Sequence, residues 1–264
     1  METSLKDIQN LEDTRGVDIQ KVGVKDVEIP LTIQRKNAQD QIVRAKARMS
    51  VSLPRHYKGT HMSRFIEVLN EWGQKNLLGQ DIQGCLQDIL HRLDAKSAEV
   101  RFNFKYFIDK KAPVSAQVCP MGYDCSFEGV MDGSDYKFIL GVKVPLTTLC
   151  PCSKEISDFG AHNQRAVVHV RLSYPESDIF WIEDLVELIE SCGSSPVYPL
   201  LKREDEKFVT ELAYQNPKFV EDVIRDVILQ LRKKQGINWF EVECEAFESI
   251  HNHSAWAFQE EGKI

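Results

Sequence analysis

Two cysteines stand one residue apart at Cys150 and Cys152, and His162 follows ten residues after the second. Thiols and imidazoles are metal ligands and can also act as nucleophiles or proton carriers. A structural zinc ribbon normally pairs its thiols as Cys-x-x-Cys and repeats the pair, whereas this chain has a single Cys-Pro-Cys. A segment with too few ligands to close a tetrahedral site predicts a metal position that stays open to substrate or water.

The alternative is that these thiols are inert, because cysteine is often buried as a small hydrophobic residue. We adopt that interpretation for the five isolated cysteines, which are Cys85, Cys119, Cys125, Cys192 and Cys244. For Cys150 and Cys152 the sequence favours a metal or catalytic role, since His162 accompanies them.

Acidic and imidazole groups occur in three other segments. The run Glu204, Asp205 and Glu206 is typical of a solvated turn, and the residues alone give no reason to prefer a ligand. Glu221 falls in the first turn of a predicted helix, where the helix dipole favours acids in any case. His251 and His253 alternate near a predicted strand end, so we do not expect both to face the same side.

A basic run over residues 55–64 lies at a predicted strand-to-helix junction. Its simplest interpretation is the start of a helix capped by Thr60 or Ser63. Its functional interpretation is an anion site, because helix N-termini and cations both attract phosphate. The chain has no Gly-x-x-x-x-Gly-Lys-Ser/Thr motif, so we do not expect a nucleotide to be held by a P-loop.

The composition limits the classes of protein to consider. The 264 residues are 42% hydrophobic, which is enough for one large or two small cores, and they carry 33 basic and 40 acidic residues for a net charge of −7. That balance argues against broad nucleic-acid binding. The polar N-terminus, the lack of a long apolar run and an odd number of scattered cysteines together predict a cytoplasmic protein with reduced thiols.

Hydrophobic periodicity predicts the elements that position these residues. Strict alternation predicts strands, and apolar spacings of three and four predict helices, in the order ββααββ twice over. The first set covers residues 27–34, 43–51, 63–75, 82–93, 100–106 and 114–118, and the second covers 138–146, 166–172, 181–190, 218–234, 240–246 and 254–258. The sequence Val-Glu-Ile-Pro-Leu-Thr at 27–32 is mirrored by Val-Lys-Val-Pro-Leu-Thr at 142–147, which supports a duplication.

The sequence therefore predicts an α+β fold of two tandem ββααββ units, each an antiparallel sheet with helices packed on one face. Residues 1–21 are predicted to be a flexible N-terminal tail, residues 22–130 the first unit and residues 131–264 the second unit. The second unit carries the candidate metal and catalytic loops, because its connections are longer and hold Cys150, Cys152, His162 and the 248–253 segment.

Four segments closely resemble the type IB GTP cyclohydrolases of prokaryotes: residues 58–65, residues 149–154, residues 160–165, and Glu248-x-x-His251-x-His253. The resemblance runs in order from about residue 20 to the C-terminus. It implies the tunnelling fold, whose unit is ββααββ, with protomers joined as a homotetramer and active sites at subunit interfaces. It also implies conversion of GTP and water to 7,8-dihydroneopterin triphosphate and formate, the first step of tetrahydrofolate biosynthesis.

The resemblance further implies a role for each candidate residue. The implied metal ligands are Cys150, His162 and Glu206, with Glu204 as the alternative carboxylate, and the metal is Mn²⁺, Zn²⁺ or Fe²⁺. The implied catalytic groups are Cys152, Glu248 and His251. Glu221 is implied to accept paired hydrogen bonds from guanine, and the candidates for the triphosphate are Lys58, His61 and Arg64.

Two other functions stay open at this point. An archaeal-type relative would act on GTP but give a cyclic-phosphate product. A non-catalytic tunnelling-fold protein would bind a purine or pterin through Glu221 and use its metal structurally.

Overall fold

The structure is a computed structural model that describes residues 8–9, 11–77, 79–175 and 178–263. Its elements follow in chain order: β1 (Ile19–Ile33), β2 (Gln41–Leu53), α1 (Met62–Trp72), β3 (Asn76–Leu77), α2 (Ile82–Leu93), β4 (Ser97–Lys111), β5 (Val118–Asp132), β6 (Asp135–Leu149), α3 (Pro151–Ile156), β7 (Asn163–Ser173), α4 (Ile182–Glu190), β8 (Ser195–Pro196), α5 (Arg203–Gln215), α6 (Val220–Arg232), β9 (Trp239–Ala246) and β10 (Ala255–Gly262). The predicted α+β class and the repeated order of two strands, helices and two strands are confirmed.

The chain forms two compact units, one of residues 1–104 and 126–139 and the other of residues 105–125 and 140–264. The residues of β4, β5 and β6 are divided between the two units. The predicted boundary between residues 130 and 131 was based on the sequence repeat and stays a prediction. The predicted tail of residues 1–21 also stays a prediction: residues 1–7 and 10 lie outside the described residues, and β1 begins at Ile19.

In the first unit, β1 pairs with β2 and β2 with β4 in antiparallel register, and β3 joins the edge parallel to β1. The alternation predicted for β2 is confirmed, since Ala45, Ala47 and Met49 are buried whereas Arg44 and Lys46 are exposed. Helices α1 and α2 are amphipathic. Their apolar residues are spaced three and four apart, so they form one stripe on each helix, and this stripe is buried.

Close packing in this unit depends on one glycine in β5. A Cβ placed on Gly129 would lie 2.4 Å from Ile82 Cγ2 and 2.9 Å from a methyl group of Leu86. Only a residue without a side chain lets α2 approach the strand at this point.

In the second unit, β6, β7, β9 and β10 follow one another as antiparallel neighbours, and β8 pairs with the end of β6. The inward residues of β7 are completely buried: Ala166, Val168, Val170 and Leu172. Helix α6 buries six apolar side chains on one face. Burial of each side chain contributes at most roughly 1.5–3 kcal/mol to the free energy of folding. A rigid sheet of this kind fixes the positions at which its connecting loops begin and end.

Three local predictions were wrong. The strand predicted at residues 114–118 lies mostly in the turn of residues 112–117; β5 begins only at Val118, and β4 and β5 are both longer than predicted. The acidic run at residues 204–206, predicted to be a solvated turn, forms the first turn of α5. Helix α1 has His61 at its N-cap with no side-chain capping bond, so neither Thr60 nor Ser63 caps it. In the part of the chain that the structure describes, no helix is long and apolar enough to span a membrane.

Candidate active site

The loop that carries the two cysteines begins with a hydrogen-bonded turn. Cys150 is the N-cap of α3, Pro151 occupies the first helical position, and Cys150 Sγ accepts a hydrogen bond from Ser153 N at 3.4 Å. Cys150 N donates to the His162 carbonyl at 3.1 Å. Ser153 Oγ donates to the Cys150 carbonyl and accepts from His162 N, each at 3.2 Å. Ser153 therefore fastens the main chain of Cys150 to that of His162. Cys150 is half-buried, and Cys152 is exposed.

Gln164 is the centre of a side-chain network beside this loop. Its Oε1 lies 3.0 Å from His162 Nδ1, and its Nε2 donates to Thr148 Oγ1 and to Glu248 Oε1, both at 3.2 Å. His162 Nδ1 and Glu248 Oε2 are 4.0 Å apart, and these side chains are only 15% and 14% exposed. The structure thus brings together His162 and Glu248, which stand far apart in sequence.

Glu248, His251 and His253 lie in the connection between β9 and β10. Phe247 N donates to the Arg165 carbonyl at 2.9 Å, which holds the beginning of this connection against β7. The rings of His251 and His253 stack with their centroids 5.1 Å apart and 15° between their planes. The expectation that these histidines face opposite sides was wrong, because they lie in a loop rather than on a strand.

The acidic run at 204–206 forms the first turn of α5. Asp205 is completely buried, and its carboxylate accepts hydrogen bonds from Val114 N, Ser115 N, Ser115 Oγ and Lys202 N at 2.6–2.9 Å. Burial alone would raise the pKa of Asp205, but these hydrogen bonds outweigh it and hold the pKa well below the usual range. The Asp205 carboxylate is therefore engaged in hydrogen bonds that stabilise the start of α5. Glu204 and Glu206 are the exposed carboxylates of this turn.

Glu221 lies in the first turn of α6, as the sequence predicted, and its side chain is exposed. The approach to this helix is anchored to the end of β6, because Lys218 N donates to the Leu149 carbonyl at 3.0 Å. Lys218 Nζ also donates to the Cys192 carbonyl and to Asp226, at 3.0 and 2.7 Å. Burial, together with the nearby Glu221 and Glu243 carboxylates, raises the pKa of Cys244 to about 12. The start of α6 is thus tied to the residue before Cys150.

A cavity of about 300 Å³ lies between the ends of β6 and β7, the 195–198 segment and α5. Its lining is mixed polar and apolar, and includes Thr147, Gln164, Arg165, Tyr198, Val209 and Thr210. This volume is at the lower end of the range for small-molecule sites. Residues of α5 and Gln164 line the same cavity. Glu206 lies on α5 one turn before Thr210, which is one of these lining residues.

Tyr198 in the cavity wall rests on a buried ion pair. Lys110 Nζ lies 4.5 Å from the centre of the Tyr198 ring and is paired with Glu190, with side chains 11% and 12% exposed. Tyr123 OH donates to the same Glu190 oxygen at 2.8 Å. Burial lowers the pKa of Lys110 despite the opposing effect of Glu190. The ion pair therefore supports the wall of the cavity from behind.

The three triphosphate candidates lie in the first unit. His61 and Arg64 line a cavity of about 270 Å³ at the start of α1, and Arg64 Nη1 donates to the Arg92 carbonyl at 2.8 Å. Lys58 is exposed, and its backbone N donates to the Leu11 carbonyl at 3.0 Å. These contacts hold the basic segment in place at the N-terminus of the helix.

Among the described residues, no three His, Cys, Asp or Glu side chains lie close enough together to form a metal site. Hydrogen bonds nevertheless join the main chains of Cys150 and His162, directly and through the Ser153 hydroxyl. The backbone positions of two of the three predicted ligands are therefore fixed relative to each other. Sequence reasoning missed Gln164, Ser153 and Lys218. Gln164 and Ser153 belong to motifs that had been noted, but only their hydrogen bonds distinguish them from neighbouring polar residues.

Comparison with known proteins places the chain in a family. The family described as type I GTP cyclohydrolase folE2 matches residues 5–257. The GTP cyclohydrolase FolE2 of Geotalea uraniireducens (strain Rf4) is 54% identical over 98% of this chain and 94% of its own length. The GTP cyclohydrolase FolE2 of Geobacter sulfurreducens (strain ATCC 51573 / DSM 12127 / PCA) is 52% identical over 98% and 99%.

Solved structures confirm the tunnelling fold. Uricase from Arthrobacter globiformis superposes with a TM-score of 0.53 at 7% identity, over 92% of this chain and 93% of its own. Urate oxidase from Bacillus sp. TB-90 gives a TM-score of 0.51 at 8% identity, over 93% and 100%. At this identity the likeness concerns the fold alone. The sequence matches over nearly the whole length decide the family: the chain belongs to the type I GTP cyclohydrolase FolE2 family.

Proposed function

We propose that this protein is a metal-dependent GTP cyclohydrolase of type IB, which converts GTP and water to 7,8-dihydroneopterin triphosphate and formate. The observation that carries the proposal is the convergence of His162 and Glu248 on Gln164, next to the loop of Cys150. Family membership over almost the entire chain supports the same reaction.

Cys150, His162 and Glu206 are the proposed metal ligands. A half-buried thiol and an imidazole on one hydrogen-bonded loop form a donor pair that suits Zn²⁺ or Fe²⁺ and accepts Mn²⁺. The structural use of Asp205 leaves Glu206 or Glu204 as the third ligand. When bound, a divalent cation would lower the pKa of water from ~16 towards ~7 and so supply hydroxide at neutral pH.

The remaining candidates divide substrate binding and proton transfer between them. An exposed carboxylate at Glu221 can accept hydrogen bonds from N1–H and the 2-amino group of guanine, which adenine does not offer together. Water must add at C8, and N7 must be protonated as the imidazole ring of the base opens. His251 is the proposed proton donor, with Glu248 orienting it and Cys152 assisting proton transfer.

Lys58, His61 and Arg64 are proposed to bind the triphosphate, because they precede or begin helix α1 and both cations and helix N-termini favour phosphate. We further propose that the protein is cytoplasmic and acts as a homotetramer in which this basic segment serves the active site of a neighbouring protomer. The TM-scores to uricases support the subunit fold and leave the assembly to be measured.

The test is incubation of the purified protein with GTP and Mn²⁺, Fe²⁺ or Zn²⁺, with a chelator-treated control. Oxidation and phosphatase treatment should then give neopterin fluorescence that the chelator abolishes. Product analysis before phosphatase treatment separates a linear triphosphate from a cyclic phosphate. Folded protein that gives no signal with any of the three metals would contradict the proposal and favour a non-catalytic purine- or pterin-binding protein.

A further inference from the structure

Gln164 occupies a position where a polar side chain is costly unless every hydrogen bond is made. The residue is 9% exposed, and its neighbour Thr148 is 1% exposed. A buried amide without hydrogen-bond partners destabilises the folded state. Here the amide has three partners, and they come from three different elements: Thr148 on β6, His162 before β7 and Glu248 after β9.

The partners determine which way the amide points. A Glu248 carboxylate can only accept, so the group 3.2 Å from its Oε1 must be the NH₂ end of the amide. The carbonyl end then faces His162 Nδ1 at 3.0 Å. Since a carbonyl only accepts, Nδ1 must carry the proton in this contact.

The tautomer of His162 follows from this orientation. When Nδ1 of a neutral imidazole carries the proton, Nε2 presents the lone pair. Ligating histidines usually have the non-ligating nitrogen held by a hydrogen bond that fixes the ring orientation and increases the basicity of the other nitrogen. The contact with Gln164 is of this kind.

We propose that Gln164 is a positioning residue that fixes the tautomer and orientation of the His162 ligand and, through the other end of the same amide, the position of the Glu248 carboxylate. This inference rests on the proposed roles of His162 and Glu248. Its new content is that one side chain links the proposed metal ligand His162 to Glu248, the residue proposed to orient the proton donor. Rotation of either side chain would break its hydrogen bond to Gln164.

Two substitutions separate the two ends of the amide. Gln164→Leu removes both the acceptor for His162 and the donor for Glu248 while retaining an apolar side chain of similar length. Gln164→Glu keeps an acceptor for His162 Nδ1 but replaces the donor with an oxygen that repels the Glu248 carboxylate. Gln230→Leu, the same chemical change on α6, serves as the matched control away from the site.

Each variant is measured in four ways. The affinity for Zn²⁺ or Co²⁺ is determined by competition with a chromophoric chelator, the Co²⁺ absorption spectrum reports the geometry of the ligands, and kcat and KM are measured with GTP. Thermal unfolding of the metal-free protein reports any loss of stability. Only the first two readouts distinguish positioning of a ligand from a general structural role.

For Gln164→Leu we expect metal affinity to fall about 10- to 100-fold, with a changed Co²⁺ spectrum and a lower kcat. For Gln164→Glu we expect affinity to stay within about threefold of the wild type, while kcat still falls at least ~10-fold because Glu248 is displaced. Gln230→Leu should match the wild type throughout. Metal affinity and spectrum unchanged in Gln164→Leu would overturn the inference.

A second pair keeps the proposal testable if Gln164→Leu does not fold. Thr148→Val removes the hydroxyl that accepts from the amide, whereas Thr148→Ser retains it. Weaker metal binding in the valine variant, with recovery in the serine variant, would support the proposal; equal metal affinity in both would overturn it.

A wild type that binds metal but does not turn over GTP would contradict the proposed function alone, because the affinity measurements would still decide the role of Gln164. A wild type that binds no divalent metal would overturn the role of His162 and this inference with it.

Discussion

The buried pair of Lys110 and Glu190 offers the clearest quantitative prediction. Glu190→Gln keeps the shape of the side chain and an oxygen that accepts from Tyr123 OH, but it removes the charge opposite Lys110. An ion left without its partner in a site where both side chains are only 11–12% exposed costs about 3–5 kcal/mol. For a chain of this size that corresponds to a Tm lower by roughly 6–20 °C.

The assay is urea and thermal unfolding at one fixed protein concentration, performed as a double-mutant cycle with Lys110→Met. Lys110→Met/Glu190→Gln should be more stable than Glu190→Gln alone, because the uncompensated cation is gone. The pH dependence has a definite sign. Since burial lowers the pKa of Lys110 below its usual 10.5, the folded state binds this proton less tightly than the unfolded state. The free energy of unfolding of the wild type should therefore rise with pH between the folded-state pKa of Lys110 and 10.5. Over the same pH range, the difference in stability between the wild type and Glu190→Gln should become smaller.

A loss below about 1 kcal/mol in Glu190→Gln would refute the reasoning, because it would mean that Lys110 reaches water without cost. The variant also tests the cavity, since Lys110 packs over the ring of Tyr198. If the ion pair supports that wall, backbone amides of residues 195–201 should exchange faster in the variant.

Three further predictions concern the site. Cys150→Ala should abolish turnover with loss of bound metal, measured by elemental analysis beside Cys119→Ala; normal turnover with stoichiometric metal would contradict the ligand assignment. Glu221→Gln should lower kcat/KM for GTP by about 10²–10³-fold through loss of a charged acceptor, and unchanged kinetics would exclude guanine binding there. Asp205→Asn should unfold at lower temperature than the wild type at pH 7. Because hydrogen bonds lower the pKa of Asp205, its stabilisation is present above its usual pKa of 3.8 and is lost as pH falls through the folded-state value, so the difference in Tm should narrow in acid; a constant difference would contradict this account.

Hydrophobic periodicity in the sequence was sufficient to predict the helices that have a continuous apolar stripe. Helix α6 has six buried apolar residues on one face and was predicted within two residues at each end. Helix α5 was missed because its buried residues are Asp205 and Ala213, so its sequence shows no stripe. What stabilises its start is a carboxylate accepting hydrogen bonds from a turn about ninety residues earlier, which no local pattern reports.

The candidate site was predicted residue by residue from motifs, but its internal connections were not. The spacing of Cys150 and His162 indicated a shared loop, and the structure adds the Ser153 hydroxyl that joins them. The contact of His162 with Glu248 is between residues 86 positions apart, and it depends on the register of β7 with β9. Such register is set by the whole sheet, which is why a single motif does not contain it.

The hydrogen bond from Lys218 N to the Leu149 carbonyl has a consequence for how such enzymes can change. This hydrogen bond uses only main-chain atoms, so a substitution at Lys218 that retains the backbone N–H can keep it. Such a substitution should still lower stability, because the Lys218 side chain also donates to the Cys192 carbonyl and to Asp226. Insertion or deletion of a single residue should shift Glu221 relative to Cys150, and homologues that retain the reaction should therefore conserve the length of this connection.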